Sequence, residues 1–161
     1  MKTSERKKAA ASSPQGVTAI KRILMPVDFS APSKRALKYA EQFAKQLGAA
    51  LTLVHVVEPF WYPHDWEYLP AFEGNIGPVA LEKEARARLT TLANEVGSNA
   101  PVTPHVRSGT PWNEIVLAAK EYKADLIIIG THGRTGLKHV VMGSTAERVV
   151  RHAHCPVLVV R

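Results

Sequence analysis

The chain has 161 residues, of which 45% are hydrophobic and 22% are charged, a size and balance typical of one globular domain. It contains no run of about 18 apolar residues, so we expect no membrane span. The N-terminus is polar and basic, so we expect no secretory signal peptide. Because Cys155 is the one cysteine, an internal disulfide is excluded, and we expect a reducing, cytoplasmic setting.

The net charge of +7 is unevenly distributed along the chain. Residues 1–22 carry six basic side chains and one acidic one, whereas the other 139 residues carry 15 basic and 13 acidic ones. A short basic tail on a nearly balanced body is weak evidence for nucleic-acid binding, which we therefore do not expect. Residues 1–19 have almost no large apolar side chain, so we predict a disordered tail there and one domain over residues 20–161.

The first predicted elements are a strand, a helix and a second strand. A short apolar run over Ile23–Val27 reads as a buried strand that ends at Asp28. Ser30 is a plausible N-cap for a helix that closes at Gly48, because apolar residues recur between them at helical spacing. A second buried strand is predicted over Leu51–Val57.

Residues 59–78 fit neither the helical nor the strand period, so we predict a long loop. The loop is rich in proline, glycine and aromatic residues. We expect its aromatic side chains to cover the protein's own sheet or a second subunit, with a lid over a ligand or a partner surface as the alternative. These side chains are Trp61, Tyr62, Trp66 and Tyr68.

The rest of the chain continues the alternation of helix and strand. Because Pro104 has no amide hydrogen to donate, its strand suits a sheet edge, whereas the most apolar strand suits a central place. Such alternation implies a parallel sheet wrapped by right-handed crossovers. The predicted elements are helix Val79–Val96, strand Val102–Val106, a helix capped by Thr110 that starts at Pro111 and runs to about Tyr122, strand Asp125–Gly130, helix Ser144–His152 and strand Pro156–Val160.

One loop near the C-terminus carries a chemical signal. It reads Gly130-Thr131-His132-Gly133, then nine residues, then Gly143-Ser144-Thr145, and it connects an apolar strand to a predicted helix. Glycines let the backbone approach an anion, and the free N–H groups of a helix's first turn point at it. The loop therefore predicts a phosphate cradle. It matches neither G-x-G-x-x-G nor the Walker motif, so the lysine that serves γ-phosphate transfer is missing.

The spacing G-x2-G-x9-G-[ST], formed by Gly130, Gly133, Gly143 and Ser144, resembles the ATP-binding signature of the universal stress proteins. The segments 23–30, 53–57 and 154–160 also resemble that family's first, second and last strands in order, so the likeness covers about residues 20–161 apart from the aromatic loop. It implies an α/β, Rossmann-like nucleotide-binding fold. That fold has a single open, doubly wound, five-stranded parallel sheet with strand order 3-2-1-4-5.

The resemblance also implies a ligand and a partner. Asp28 would accept hydrogen bonds from the ribose, apolar residues would line an adenine slot, and the glycine loop would hold the phosphates of ATP, with Mg²⁺ as an accompanying ion. Antiparallel pairing of Val157–Val160 would form a homodimer. The predicted nucleotide-binding residues are Pro26, Val27, Asp28, Val56, Ile129, Gly130, Thr131, His132, Gly133, Arg134, Gly143, Ser144, Thr145 and Ala146.

Plainer interpretations of these residues stay open. Each glycine alone could be a turn former that needs a positive φ. The Asp28 carboxylate could cap the turn at Ser30, a role compatible with ribose binding. His132 is more typical of a surface or packing residue than of a general acid. Arg134, like the nearby Lys138, could be solvated instead of neutralising phosphate.

The histidines at two places in the chain are interpreted as structural residues and not as metal ligands. His152, His154 and Cys155 offer three ligands at the close of a helix, whereas zinc takes about four, so we expect no metal site there. His55 on a buried strand is interpreted as a core histidine with its hydrogen bonds satisfied.

The resemblance therefore implies a regulatory ATP-binding module of the stress response. No carboxylate pair, Walker lysine or activated nucleophile is visible, so we expect at most slow ATP hydrolysis. One alternative is an ATP-hydrolysing or adenylyl-transferring enzyme that uses His132 or Asp28 as acid or base. The other is an interaction protein whose pocket binds no nucleotide.

Overall fold

The structure, a computed structural model, describes residues 19–58, 78–97, 101–131 and 142–161. In those ranges five strands and four helices alternate as predicted, and no end differs from the predicted one by more than two residues. The predicted tail, apart from residue 19, and the predicted aromatic loop, apart from Pro78, lie outside the described residues. The elements are β1 (Arg22–Pro26), α1 (Ala31–Leu47), β2 (Ala50–Val57), α2 (Pro78–Glu95), β3 (Val102–Ser108), α3 (Pro111–Glu121), β4 (Leu126–Gly130), α4 (Ser144–His152) and β5 (Val157–Val160).

The strands form one parallel sheet in the order β3-β2-β1-β4-β5, which confirms the predicted order. The register pairs Met25 of β1 with Leu53 of β2, and Ile23 of β1 with Leu126 of β4. β3, which contains Pro104, lies at an edge as predicted, and β4 is an interior strand beside the central β1. The winding direction reverses between β1 and β4, so their carboxyl ends flank the switch point.

Helices cover both faces of the sheet, which explains why the strands read as continuous apolar runs. α1 and α2 pack on one face against side chains such as Ile23 and Met25. α3 and α4 pack on the other face against side chains such as Leu24 and Ile127. Successive strand residues point to opposite faces, so β1, β2, β4 and β5 each contribute to both clusters.

The helix α1 is bounded by the residues that the sequence predicts. The Ser30 hydroxyl accepts a hydrogen bond from the Ser33 amide at 3.2 Å, and Gly48 ends the helix at φ +61°. Thr110 occupies the N-cap of α3 as predicted, although its hydroxyl makes no capping hydrogen bond. No helix within the described ranges has the length and apolarity that a bilayer crossing requires.

Asp125 links neighbouring strands at the amino-terminal end of the sheet, opposite the switch point. Its Oδ2 accepts hydrogen bonds from the amides of Lys21 and Arg22 at 3.0 and 2.9 Å, and its Oδ1 accepts one from the Arg22 guanidinium at 2.9 Å. Burial alone would raise the pKa of this carboxyl, but these donors outweigh it and hold the pKa below its ordinary value. The carboxylate therefore joins the starts of β1 and β4.

Candidate functional site

The carboxyl ends of β1, β2 and β4 open into a cleft of about 900 Å³. This volume lies within the range of sites for nucleotide-sized ligands. α2 forms one wall, and the starts of α3 and α4 form the other. The cleft lies at the switch point of the sheet, where doubly wound folds bind their ligands.

Most of the predicted site residues meet at this cleft, although their segments lie about 100 residues apart in the chain. The parallel strands bring them together because their carboxyl ends share one edge of the sheet. His132, Gly133 and Arg134 lie outside the described residues. The predicted residues that line the cleft are Pro26, Val27, Asp28, Val56, Ile129, Gly130, Thr131, Gly143, Ser144, Thr145 and Ala146.

Apolar strand ends form one part of the cleft. Val27 and Ile129 are buried, and Val56 is half-buried beside them on β2. The Val27 amide donates to the Val54 carbonyl at 2.7 Å, which extends the ladder between β1 and β2 past the last residue of β1. The result is a fixed apolar surface suited to a flat hydrophobic group.

Asp28 follows this surface in a tight turn. Its Oδ1 accepts a hydrogen bond from the Ser30 amide at 2.9 Å, so the capping role considered from the sequence is present, and the residue also lines the cleft. Between the two residues, Phe29 has φ +64°, a left-handed conformation that costs a bulky residue about 1–2 kcal/mol. The turn therefore fixes the carboxylate at the cleft at some cost in backbone strain.

His55 contacts the residues on either side of Asp28 in this turn. Its side chain is buried, and its Nδ1 lies 2.6 Å from the carbonyl oxygen of Val27. Because a carbonyl only accepts, Nδ1 carries the hydrogen and donates it. The imidazole also packs against the Phe29 ring at 4.8 Å between centroids. The interpretation of His55 as a satisfied core histidine is confirmed.

The start of α4 brings uncapped amides to the cleft. Gly143 occupies the N-cap and has no side chain to cap the helix, while its own amide donates to the Thr131 carbonyl at 2.7 Å. The first intrahelical bond comes from Glu147 to the Gly143 carbonyl. The amides of Ser144, Thr145 and Ala146 therefore precede the ladder, and none has an acceptor among the described residues. They can donate to an anion in the cleft.

Neither of the two signature glycines that the structure describes adopts a positive φ. Gly143 has φ −72°, an ordinary value for any residue. Gly130 makes a close approach instead, because a Cβ there would lie 3.3 Å from the carbonyl carbon and oxygen of Pro32. The turn-former alternative therefore does not apply to these two positions, and Gly130 allows the first turn of α1 to pack closely on β4.

Charged side chains are distributed unevenly over the two sides of the cleft. Asp28, Glu58 and Glu84 line the side formed by β1, β2 and α2, where Arg88 lies 3.9 Å from Glu84. Arg148 lines the opposite wall, on α4. A ligand with hydroxyl donors at one end and anionic groups at the other matches this division.

The cleft lining also includes residues that the sequence did not indicate, among them Trp112 and Arg148. Trp112 follows Pro111 at the start of α3, and Arg148 lies on α4. Neither belongs to the glycine motif, so the motif did not indicate them. The helical period was an available signal, since Arg148 stands four residues after Ser144 and therefore on the same face of α4.

No group of three or more metal-ligating side chains is found in the part of the chain that the structure describes. The His152 ring lies against Trp112, with 5.0 Å between centroids, and its Nδ1 lies 2.8 Å from the Arg148 carbonyl oxygen. Burial, and then the nearby Asp125 charge, raise the pKa of the Cys155 thiol. His152 thus packs on Trp112, and Cys155 packs against the core cluster between α3 and α4.

Comparison with known proteins identifies the family and supports the fold. The model of the Universal stress protein family matches residues 19–161. The chain belongs to the universal stress protein family. It is 39% identical over 151 residues to Universal stress protein MJ0531 of Methanocaldococcus jannaschii, an alignment that covers 91% of this chain and 85% of that protein. The resemblance seen in the sequence is confirmed.

Solved structures of universal stress proteins share the architecture. Universal stress protein UspA from Lactobacillus plantarum matches with a TM-score of 0.72 at 30% identity, covering 88% of this chain and 98% of that one. A universal stress protein in complex with cAMP matches with a TM-score of 0.59 at 25% identity, covering 89% of this chain and 99% of that one. One structural neighbour therefore binds an adenine nucleotide.

Proposed function

We propose that this universal stress protein is a regulatory module that binds ATP in the cleft at the switch point. The observation that carries the proposal is the uncapped first turn of α4, whose amides face a cleft with a fixed carboxylate on its other side. Such a turn attracts phosphate through its open N–H donors and the helix dipole. The complex of a structural neighbour with cAMP supports an adenine nucleotide as the ligand.

The cleft orients the nucleotide in one direction in this proposal. The adenine lies on the apolar surface of Val27, Val56 and Ile129, and Asp28 accepts hydrogen bonds from the ribose hydroxyls. The phosphates extend to the amides of Ser144–Ala146. The reverse orientation would bring phosphate charge next to carboxylates of the β1, β2 and α2 side, which is unfavourable.

The proposed role is binding with at most slow hydrolysis. Asp28 would have to act as a base, yet its Oδ1 is engaged by the Ser30 amide within the turn. His132, the other acid or base candidate, lies outside the described residues. A Mg²⁺ ion would enter with the nucleotide, held mainly by phosphate oxygens and water, because such sites use one or two carboxylates at most.

We further propose that the protein acts in the cytoplasm as a homodimer joined through β5. The sheet pairs β5 with β4 along one side, and β5 is apolar and lies at the end of the strand order. An apolar edge strand of this kind favours pairing with a second copy. Nucleotide binding would stabilise the folded dimer by mass action and so give partners in the stress response a state to recognise.

Calorimetric titration of the full chain with ATP, ADP and AMP tests the proposed function, with thermal unfolding in parallel. At a nucleotide concentration of about 100 times Kd, binding adds about 2.7 kcal/mol of stability and raises the Tm by about 5–10 °C. Mass spectrometry of ligand released from freshly purified protein identifies the bound species. If millimolar nucleotide produces no heat and no thermal shift, nucleotide binding is refuted and the interaction-protein alternative remains.

Assays of phosphate release, for hydrolysis, and of pyrophosphate release, for adenylyl transfer, separate the binding module from the enzyme alternative. The binding module releases phosphate at a rate far below the range of about 1–10³ s⁻¹ that is typical of enzymes. The enzyme alternative requires rapid turnover that His132→Ala or Asp28→Asn abolishes.

A further inference from the structure

The α3 and α4 wall of the cleft carries an aromatic and cationic pair that the proposed function leaves unassigned. The guanidinium carbon of Arg148 lies 5.8 Å from the centroid of the Trp112 ring, within the range of a cation–π contact. Trp112 is half-buried and packs against the core cluster between α3 and α4. His152 also lies against its ring, so the indole is a fixed platform.

Helix geometry directs Arg148 towards the open end of α4. The residue stands one turn after Ser144, and long side chains on a helix lean towards its N-terminus. Both residues line the cleft. We therefore expect the guanidinium to reach along this wall towards the first-turn amides of α4.

Arg148 has no acidic partner within 4 Å among the described residues, unlike its neighbour on the same helix. Arg151 pairs with Glu147 at 2.8 Å, on the exposed surface of α4. On the opposite wall of the cleft, Arg88 lies 3.9 Å from Glu84. The charge of Arg148 is thus available to an anionic ligand.

The contact with Trp112 restricts the Arg148 side chain in a way that favours phosphate binding. A guanidinium held over an aromatic ring still presents its planar fork of N–H donors, which matches the geometry of phosphate oxygens. Holding the side chain on the platform also reduces the conformational entropy that binding removes. A lysine would supply the charge without the planar fork.

We propose that Arg148, positioned by Trp112, contacts the outer phosphates of the nucleotide and makes the cleft prefer nucleoside triphosphates and diphosphates over monophosphates. This inference rests on the proposed function, because it requires a nucleotide in the proposed orientation. The first-turn amides of α4 hold the phosphate nearest the ribose, and Arg148 adds donors beyond it. Trp112 is a positioning residue that acts through Arg148.

Calorimetric titration of the full chain with ATP, ADP and AMP tests the proposal in matched variants. Arg148→Gln is expected to weaken ATP binding about tenfold and AMP binding less than about twofold, because only the longer phosphate chain reaches the guanidinium. Arg151→Gln removes the same charge from the same helix away from the cleft, and it should leave the ratio of ATP to AMP affinity unchanged. Arg148→Lys should give an intermediate ratio.

Two substitutions of Trp112 test the positioning role. Trp112→Phe keeps an aromatic face and should retain most of the preference for ATP, whereas Trp112→Leu should lower the ATP affinity and spare the AMP affinity. If Trp112 had only a structural role, Trp112→Leu would lower the affinities for ATP and AMP together. Thermal unfolding of each variant without ligand shows whether it remains folded.

The outcomes separate this inference from the proposed function. If the wild type binds ATP and Arg148→Gln keeps its ratio of ATP to AMP affinity, Arg148 does not contact the outer phosphates and the inference is overturned while the proposed function stands. Equal effects of the Arg148 and Arg151 substitutions would overturn it in the same way. If the wild type binds none of the three nucleotides, both are overturned.

Discussion

The Nδ1 of His55 lies 2.6 Å from the carbonyl oxygen of Val27, so the second strand holds the end of the first at the edge of the cleft. The ring of Phe29 packs on the imidazole, and the Arg88 guanidinium lies 4.2 Å from the Phe29 ring centroid. This stack lies directly next to the turn of Asp28. A buried contact outside the glycine motif thus determines where the cleft's carboxylate lies.

Replacing His55 by alanine should therefore destabilise the protein and weaken ligand binding together. The substitution leaves a buried carbonyl unpaired and creates a cavity, which together cost about 2–4 kcal/mol. Urea unfolding measures the loss of stability, and ATP titration measures the loss of affinity. His105→Ala is the control, because His105 lies on edge strand β3 and stacks on Tyr122 outside the cleft. A loss below about 1 kcal/mol in His55→Ala would show that the contact contributes little.

Gly130→Ala tests the close approach of α1 to β4. The added Cβ would lie 3.3 Å from the Pro32 carbonyl, and backbone at a helix start moves less easily than a side chain. We expect a destabilisation of about 1–3 kcal/mol, as in other overpacked sites. Thermal unfolding gives the value.

Gly97→Ala is the matched control for Gly130→Ala. A Cβ at Gly97 would lie 3.1 Å from the Oε1 of Glu41, the far end of a flexible side chain that can shift at the cost of one exposed hydrogen bond from the Gly97 amide. The control should cost less than about 1 kcal/mol. Equal losses at the two positions would mean that glycine at 130 is not explained by the contact with α1.

Ser144→Pro removes one amide from the first turn of α4 with little structural cost. Proline suits the first position of a helix, and the preceding Gly143 has φ −72° and ψ 152°, a conformation that proline permits before it. If this amide donates to phosphate, ATP affinity should fall about tenfold beyond the effect of Ser144→Ala, which removes the hydroxyl alone. Calorimetry compares the two variants. Equal affinities would refute the amide's role.

The sequence predicted the topology well because its apolar runs are long and separated by clear helix signals. Both faces of the sheet are covered, so strands such as Leu126–Gly130 show no alternation and are conspicuous in the sequence. The cap at Ser30 and the stop at Gly48 are local signals, and they hold in the structure. Pro104 placed β3 at the edge for a similarly local reason.

The parts of the site that the sequence missed depend on contacts between distant segments. The closeness of Gly130 to Pro32 requires knowledge of how α1 packs, which no motif contains. The contact of Trp112 with Arg148 arises from the packing of α3 on α4. Local patterns identify the glycine loop, whereas tertiary packing decides which other side chains join it.

Asp125 gives the last prediction, which concerns acid stability. In the folded protein the pKa of its carboxyl lies below the ordinary value, so the folded state binds this proton less readily than the unfolded chain. Its contribution to the free energy of unfolding is therefore complete above a pH of about 4, the unfolded pKa. As the pH falls from there through the folded pKa, that contribution is lost.

Asp125→Asn should remove this part of the acid sensitivity. At pH 7 we expect the variant to be less stable by about 1–3 kcal/mol, because the amides of Lys21 and Arg22 lose a charged acceptor. Below pH 4 the difference should shrink, since the wild type then loses the same interaction. Denaturant unfolding between pH 2.5 and pH 7 measures the two curves. Glu147→Gln, which removes an exposed pair with Arg151, should stay within about 0.5 kcal/mol of the wild type throughout. A constant difference between Asp125→Asn and the wild type at every pH would contradict the lowered pKa and leave only a packing role for the side chain.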